Sequence, residues 1–322
     1  MTVRIGLLGA SRIAPTAVIA PARGREGVRV TAVAARDAER ARAFATEHDI
    51  PEVVDSYAAL VRREDVDLVY NGLPPAGHLE WTVAALEAGK AVLCEKPFAM
   101  SAAQAEAMAE AARRTGGLLI EAFHYRHHRV MHDAVALVRS GAIGRVQRAD
   151  AVFEAPIPRN DTELRWRRDL GGGGLMDLGT YPVHALRTLL GSEPTVRSAE
   201  GTFEDGVDVT LSAELDFAGV PGRIQTGLAA PQRRAELTLV GDAGRLSIVN
   251  FIAPQYGCRF TLERDGATET LPTDGPTTYQ AQLDHVLAVL GGMTPPLLGL
   301  DDAVAQMRAI DAIYAAAGRP AA

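Results

Sequence analysis

The sequence predicts an α/β chain. An N-terminal Rossmann domain, a doubly wound parallel sheet, precedes a C-terminal α+β domain with an open, mostly antiparallel sheet. Three observations predict this. Short apolar runs alternate strictly with helical patterns in the first third, a glycine-bearing turn follows the first run, and beyond Phe123 apolar residues recur with period two.

Val3 to Leu8 reads as the first strand, and Ile13 to Ala22 as a helix that tolerates Pro15 in its first turn. Val28 to Ala34 and the helical Ala38 to Glu47 form the next pair. Val66 to Tyr70 is a strand followed by a helix from His78 to Ala88. Ala91 to Cys94 precedes a helix from Ser101 to Arg114, with Ser101 as N-cap, and Leu118 to Ala122 closes the series. In the second part, Arg145 to Glu154, Val207 to Phe217, Gly222 to Leu228, Ala235 to Val240 and Arg259 to Glu263 read as half-buried strands. Gly219 to Gly222 and Gly241 to Gly244 are hairpin-turn candidates. Helices from Tyr279 to Leu290 and from Asp302 to Ala317 end the chain. The expected domains are 1–122, binding nucleotide, and 123–322, an α+β domain.

Composition narrows the function classes. The formal net charge is −7, which disfavours nucleic acid or an anionic membrane as partner, since both reward a basic surface. The apolar fraction is 47%, and no stretch approaches the roughly 20 apolar residues of a membrane span. The N-terminal residues lack a signal-peptide pattern, and Cys94 and Cys258 follow neither disulfide-framework nor metal spacing, so a reducing cytoplasm is the expected location. Lys90 and Lys96 are the only lysines, every other strong base being arginine. A desolvated lysine can lose its proton near neutral pH and an arginine cannot, so a lysine here marks a position where arginine will not serve.

Gly9-Ala10-Ser11-Arg12-Ile13-Ala14 follows the first strand and opens a helix, where helix N-terminal amides receive a dinucleotide pyrophosphate. Ser11 replaces the middle glycine of that fingerprint, and its hydroxyl could bond a phosphate oxygen. An ordinary tight turn is the alternative. The second strand ends in Arg36-Asp37. Arginine there suits a 2′-phosphate and favours NADP, while the adjacent acid keeps NAD open and an exposed Arg36 with no role is the alternative. Glu95-Lys96-Pro97 lies at the carboxyl end of the fourth strand, where open α/β sheets bind ligands.

Further on, four glycines, Gly171 to Gly174, precede Asp177, Tyr181 and His184. A helix would place these three on one face, as an acid/base stripe or as a buried Asp beside an exposed Tyr. Trp166 and Arg167 either close over the cofactor or form an exposed loop. The run His124 to Arg129 with His132 offers no convincing ligand set, and no metal is expected.

These motifs, with Glu121-Ala122-Phe123-His124-Tyr125-Arg126, resemble the Gfo/Idh/MocA oxidoreductases over nearly the whole chain. The resemblance implies hydride transfer between NAD(P) and a sugar-, polyol- or dihydrodiol-like carbon, with Lys96, Tyr181 and Asp177 catalytic. It implies cofactor contacts from Gly9, Ser11, Arg12, Ile13, Arg36, Leu73, Pro74, His78, Glu95, Lys96, Trp166 and Arg167. Substrate contacts are implied for Lys96, Tyr125, Arg126, Asp177, Tyr181 and His184. Many members carry histidine where Tyr181 stands. Tyrosine resembles the branch with glucose–fructose oxidoreductase, xylose dehydrogenases and dihydrodiol dehydrogenases, which often uses NADP. Two departures stand out: Pro75 replaces an asparagine expected in the Leu73 to His78 loop, and His184 is unusual for the family. A homodimer or larger assembly is a family expectation. The alternatives are a non-catalytic NAD(P)-binding sensor, and a lyase or glycosidase that retains its cofactor through transient oxidation.

Overall fold

The computed structural model describes residues 2–160 and 162–319. The chain divides into two compact units, the first running to His124 and including Tyr279–Val304, the second holding Tyr125–Thr278 and the segment from Ala305 onward.

In the first unit, β1 (Val3–Leu8) leads through a π-turn (Pro15–Ile19) into α1 (Ala20–Ala22). Then follow β2 (Val28–Ala34), α2 (Ala38–His48), β3 (Glu52–Val54), α3 (Tyr57–Val61) and β4 (Leu68–Asn71). The unit's N-terminal part ends with α4 (His78–Glu87), β5 (Ala91–Cys94), α5 (Ala102–Thr115) and β6 (Leu119–Glu121). The six strands form one sheet in the order β3-β2-β1-β4-β5-β6, every pair parallel. Parallel strands need cover on both faces, which is why Ile5, Leu7, Leu68 and Leu93 read as apolar runs and are fully buried. Side-chain caps start the helices: Asp37 accepts from Glu39 N and Arg40 N, Ser56 from Ala59 N and Ser101 from Gln104 N.

The second unit contains α6 (Arg129–Arg139), β7 (Val146–Pro156), α7 (Thr180–Leu190), β8 (Thr195–Glu204), β9 (Val207–Phe217) and β10 (Val220–Gly227). β11 (Ala229–Gly241), β12 (Gly244–Val249), β13 (Arg259–Arg264) and β14 (Ala267–Thr270) complete a sheet in the order β14-β13-β12-β11-β7-β10-β9-β8. All its pairs are antiparallel except β7 with β10. Alternation is plain in β9, where Val207, Val209, Leu211, Ala213, Leu215 and Phe217 are buried.

Two helices remain, α8 (Thr278–Leu290) and α9 (Leu300–Ala316). The contiguous 123–322 division expected from sequence differs from the structure at α8. Leu283 and Val286 are fully buried in the core of the first unit with Ile5, Leu7 and Leu93, so this late helix completes the parallel-sheet domain. Short elements also escaped the sequence: β3, α3 and β14 are too brief to establish a period, and β8 has mostly exposed residues. Among the described residues no helix is long and apolar enough to cross a membrane.

Candidate active site

The turn after β1 is built for close approach. Gly9 has φ +92°, and a Cβ there would lie 3.1 Å from Leu73 Cδ2. A Cβ on Gly72 would lie 2.9 Å from Ser11 Oγ. Ser11 Oγ is itself buried with no hydrogen-bond partner among the described residues. An unsatisfied hydroxyl in a glycine-walled turn before a helix fits a phosphate oxygen. Arg40 Nη2 donates to Ala10 O at 2.8 Å and braces the turn. Arg12 and Arg36 are exposed, and Ile13 is half-buried. Asp37, the acid that kept NAD open, has its Oδ1 engaged by Glu39 N at 2.9 Å and Arg40 N at 3.0 Å as the α2 cap. Arg36 is then the strand-end residue with a side chain to offer a ligand.

At the carboxyl edge of the same sheet, Tyr70 Oη donates to buried Glu95 Oε1 at 2.8 Å, and Lys96 N donates to Glu95 Oε2 at 3.2 Å. His78 is fully buried. Its Nδ1 lies 3.0 Å from Pro97 O and 3.2 Å from Phe98 O, and its Nε2 lies 2.9 Å from Leu73 O. The ring thus ties the Leu73-Pro74 loop to the segment after Lys96, a structural latch where sequence suggested a cofactor contact. Burial lowers its pKa, the carbonyls opposing and the Lys96 charge adding to the fall. His124 stacks on Tyr279 with ring centroids 4.1 Å apart. Burial, helped by Lys96, pushes His124 down to about 3. Lys96 is half-buried among these neutral rings, whereas Lys90 Nζ donates to Arg63 O at 2.6 Å.

In the second unit the glycines are positions where side chains would collide. A Cβ on Gly172 would lie 2.6 Å from Arg165 O, and one on Gly173 would run into Asp208 and Tyr314. Asp208, fully buried, accepts from Leu175 N at 2.6 Å and from Tyr314 Oη at 2.7 Å. Thr226 Oγ1 donates to Gly174 O at 3.0 Å. These contacts fix the start of the π-turn Leu175–Gly179 that runs into α7. Asp177 Oδ2 accepts from Arg165 Nε at 2.5 Å, and Arg165 Nη1 reaches Glu163 Oε1 at 3.0 Å. The charge of Asp177 raises the Arg165 pKa despite burial.

Tyr181 and His184 are both buried, unlike the exposed tyrosine of the alternative helix reading. Tyr125 meets Tyr181 edge-on at 5.6 Å and is hydrogen-bonded to His184 Nδ1 at 2.6 Å. Phe153 meets Tyr181 edge-on at 5.7 Å. Arg126 is buried, and its Nε and Nη1 lack hydrogen-bond partners among the described residues. Trp166 Nε1 donates to Ile157 O at 3.3 Å under the Arg159 guanidinium, and Arg167 pairs with Asp169. Tyr125, Tyr181 and His184 are therefore brought together, while Asp177 is held by Arg165. Arg165, Asp208, Tyr314 and Phe153 had no sequence signal, because each acts through a partner on another element. Among the described residues no group of three or more His, Cys, Asp or Glu side chains could hold a metal.

The Gfo/Idh/MocA oxidoreductase model, described as having an NAD-binding Rossmann fold, matches residues 3–123. The family's C-terminal domain model matches residues 131–247. This chain belongs to the Gfo/Idh/MocA oxidoreductases. Within the family it is 32% identical to an NADP-dependent D-xylose 1-dehydrogenase of Haloferax volcanii, covering 98% of each chain. It is 38% identical to a dTDP-3,4-didehydro-2,6-dideoxy-α-D-glucose 3-reductase of Actinomadura kijaniata, covering 97% of this chain and 94% of the relative. A 3-ketoreductase of the same organism, solved with NADP and TDP-benzene, superposes with a TM-score of 0.89 at 30% identity over 98% of each chain. This Gfo/Idh/MocA member is an oxidoreductase by that membership.

Proposed function

We propose that this chain is an NADP-dependent dehydrogenase or reductase acting on a CH–OH or carbonyl carbon of a sugar, polyol or dihydrodiol-like substrate. The observation that carries the reading is Lys96 at the carboxyl edge of a Rossmann sheet, together with a turn on that edge whose Ser11 hydroxyl is buried with no hydrogen-bond partner among the described residues. The names of the relatives support a sugar-related substrate and NADP.

When bound, the nicotinamide supplies or accepts the hydride. Ser11, with Gly9 and the turn's backbone, holds phosphate, and Arg36 meets the 2′-phosphate while Asp37 stays in the helix cap. Arg12, Ile13, Leu73, Pro74 and Glu95 complete the cofactor contacts, Trp166 and Arg167 cover it, and His78 holds their loop in place. Tyr181 exchanges the proton of the reacting hydroxyl, and Lys96 polarises that oxygen. Asp177, clamped by Arg165, accepts from a neighbouring substrate hydroxyl. Tyr125, Arg126 and His184 shape the substrate side. In this reading the nucleotide-binding function belongs to the N-terminal domain, and the remainder binds substrate and supports a homodimer or larger assembly.

The test follows nicotinamide absorbance while the protein meets NADP⁺, then NAD⁺, across pyranoses, polyols and dihydrodiols, with Lys96→Met alongside. Reduced cofactor with wild type and none with Lys96→Met supports the reading. Loss of cofactor binding in Lys96→Met would remove the assigned role of that residue. Two cofactors that bind without turnover on any substrate would favour a sensor or a closed redox cycle.

A further inference from the structure

The strand β11 is interrupted where it passes Tyr181's neighbours. Its pairing with β7 jumps from Ala229↔Pro156 to Arg234↔Glu154, so residues 230–233 bulge out of the ladder before regular pairing resumes at Ala235↔Phe153. Bulges of this kind re-aim a side chain and concentrate beside functional sites. The side chain re-aimed here is Arg233.

Its guanidinium lies over the Phe153 ring, 5.2 Å from the centroid, and the same ring packs edge-on against Tyr181. Arg233 Nη1 donates to Asn250 Oδ1 at 2.9 Å. Asn250 is a fixed acceptor: it sits at φ +60°, and its Nδ2 donates to Ala253 O and Gly257 O. Arg233 is exposed, and no carboxylate pairs with it among the described residues. The next residue, Arg234, is neutralised by Glu154 and Glu236. A guanidinium with donors to spare, anchored on a platform shared with the reacting phenol, is equipped for bidentate recognition of an anion.

We propose that Arg233 recognises a carboxylate or phosphate group carried by the substrate of Tyr181. The inference rests on the reading of Tyr181 as the reacting residue. It narrows the substrate from sugars in general to anionic ones, sugar acids or sugar phosphates. Within the second unit the residues that build this subsite are Arg233, Asn250 and Phe153.

The test titrates NADP⁺-saturated full-length protein with glucose, glucuronate and glucose 6-phosphate by calorimetry. At least one of the two anions should bind about tenfold or more tightly than glucose. That preference should vanish in Arg233→Gln and survive in part in Arg233→Lys, which keeps the charge and loses the fork. Glucuronate and glucose 6-phosphate distinguish the carboxylate from the phosphate source. Equal binding of anions and glucose, no binding of either anion, or a preference unchanged in Arg233→Gln overturns the proposal. Unaltered NADP⁺ affinity in Arg233→Gln verifies folding, and a loss of folding there leaves Arg233→Lys and the wild-type comparison to decide. Tyr181→Phe separates the two readings: lost turnover with the anion preference intact supports both. Undiminished turnover removes Tyr181 as the reacting residue whatever the anions do.

Discussion

The Tyr125 hydroxyl and the His184 Nδ1 are 2.6 Å apart in the buried interior of the second unit, and the Tyr125 ring packs edge-on against Tyr181. His184, unusual in sequence, thus bears on Tyr181 through Tyr125. Removing the bond strands a buried polar atom, which costs about 1–3 kcal/mol. Tyr125→Phe should lower stability by that amount in urea unfolding and reduce turnover, while the cofactor affinity measured by nicotinamide fluorescence stays as in wild type. A turnover equal to wild type would show that the pair only packs.

Arg165 is expected to matter through Asp177. It bonds Asp177 and Glu163 together, and its side chain is 30% exposed against 13% for Asp177, so part of the attraction is screened. Arg165→Met removes the cation that Asp177 and Glu163 share. A double-mutant cycle with Asp177→Asn should return a coupling of about 1–3 kcal/mol in stability. The same cycle read in kcat/KM should be non-additive. Additive effects would mean that the two side chains act independently.

Cofactor choice should separate from helix capping at neighbouring positions. Arg36→Ala should weaken NADP binding about 10- to 100-fold with little change for NAD, the loss of one charge-assisted contact. Asp37→Ala should instead cost about 1 kcal/mol of stability through the lost α2 cap and leave the NADP preference in place. Fluorescence titration and urea unfolding of both variants check this, and an Asp37→Ala variant that switches preference would contradict it.

Acid should unfold this protein through its buried histidines. His124 is pushed down to about 3 by burial and the Lys96 charge. Between its ordinary value near 6.5 and about 3, the unfolded chain holds a proton that the folded chain refuses, so stability falls as pH falls through that window. By pH 5 the contribution of His124 alone is about 2 kcal/mol. His78 and His128 are also lowered, each chiefly by burial, and act in the same direction. His124→Leu should flatten the acid limb of stability against pH in denaturant unfolding. An unchanged limb would place the acid sensitivity elsewhere.

The Rossmann sheet was legible because its strands are buried on both faces and its helices carry local caps; both signals are written within a few residues of each other. Lys96, Ser11 and Tyr181 stood out as candidates for a similar reason, since unusual residue types occupied strand ends and positions after glycines. What the sequence by itself determined was therefore the order of elements, the glycine positions and the chemical groups on offer. Only tertiary structure decided that Asp37 caps a helix, that His78 latches two loops, and that Asp177 is clamped by Arg165. Tertiary structure also decided that α8 joins the first unit and that a bulge turns Arg233 onto Phe153. The physical reason is range: propensity, capping and turn chemistry act between near neighbours. Burial and buried pairing join residues distant in sequence, as Asp208 and Tyr314 are joined at 2.7 Å.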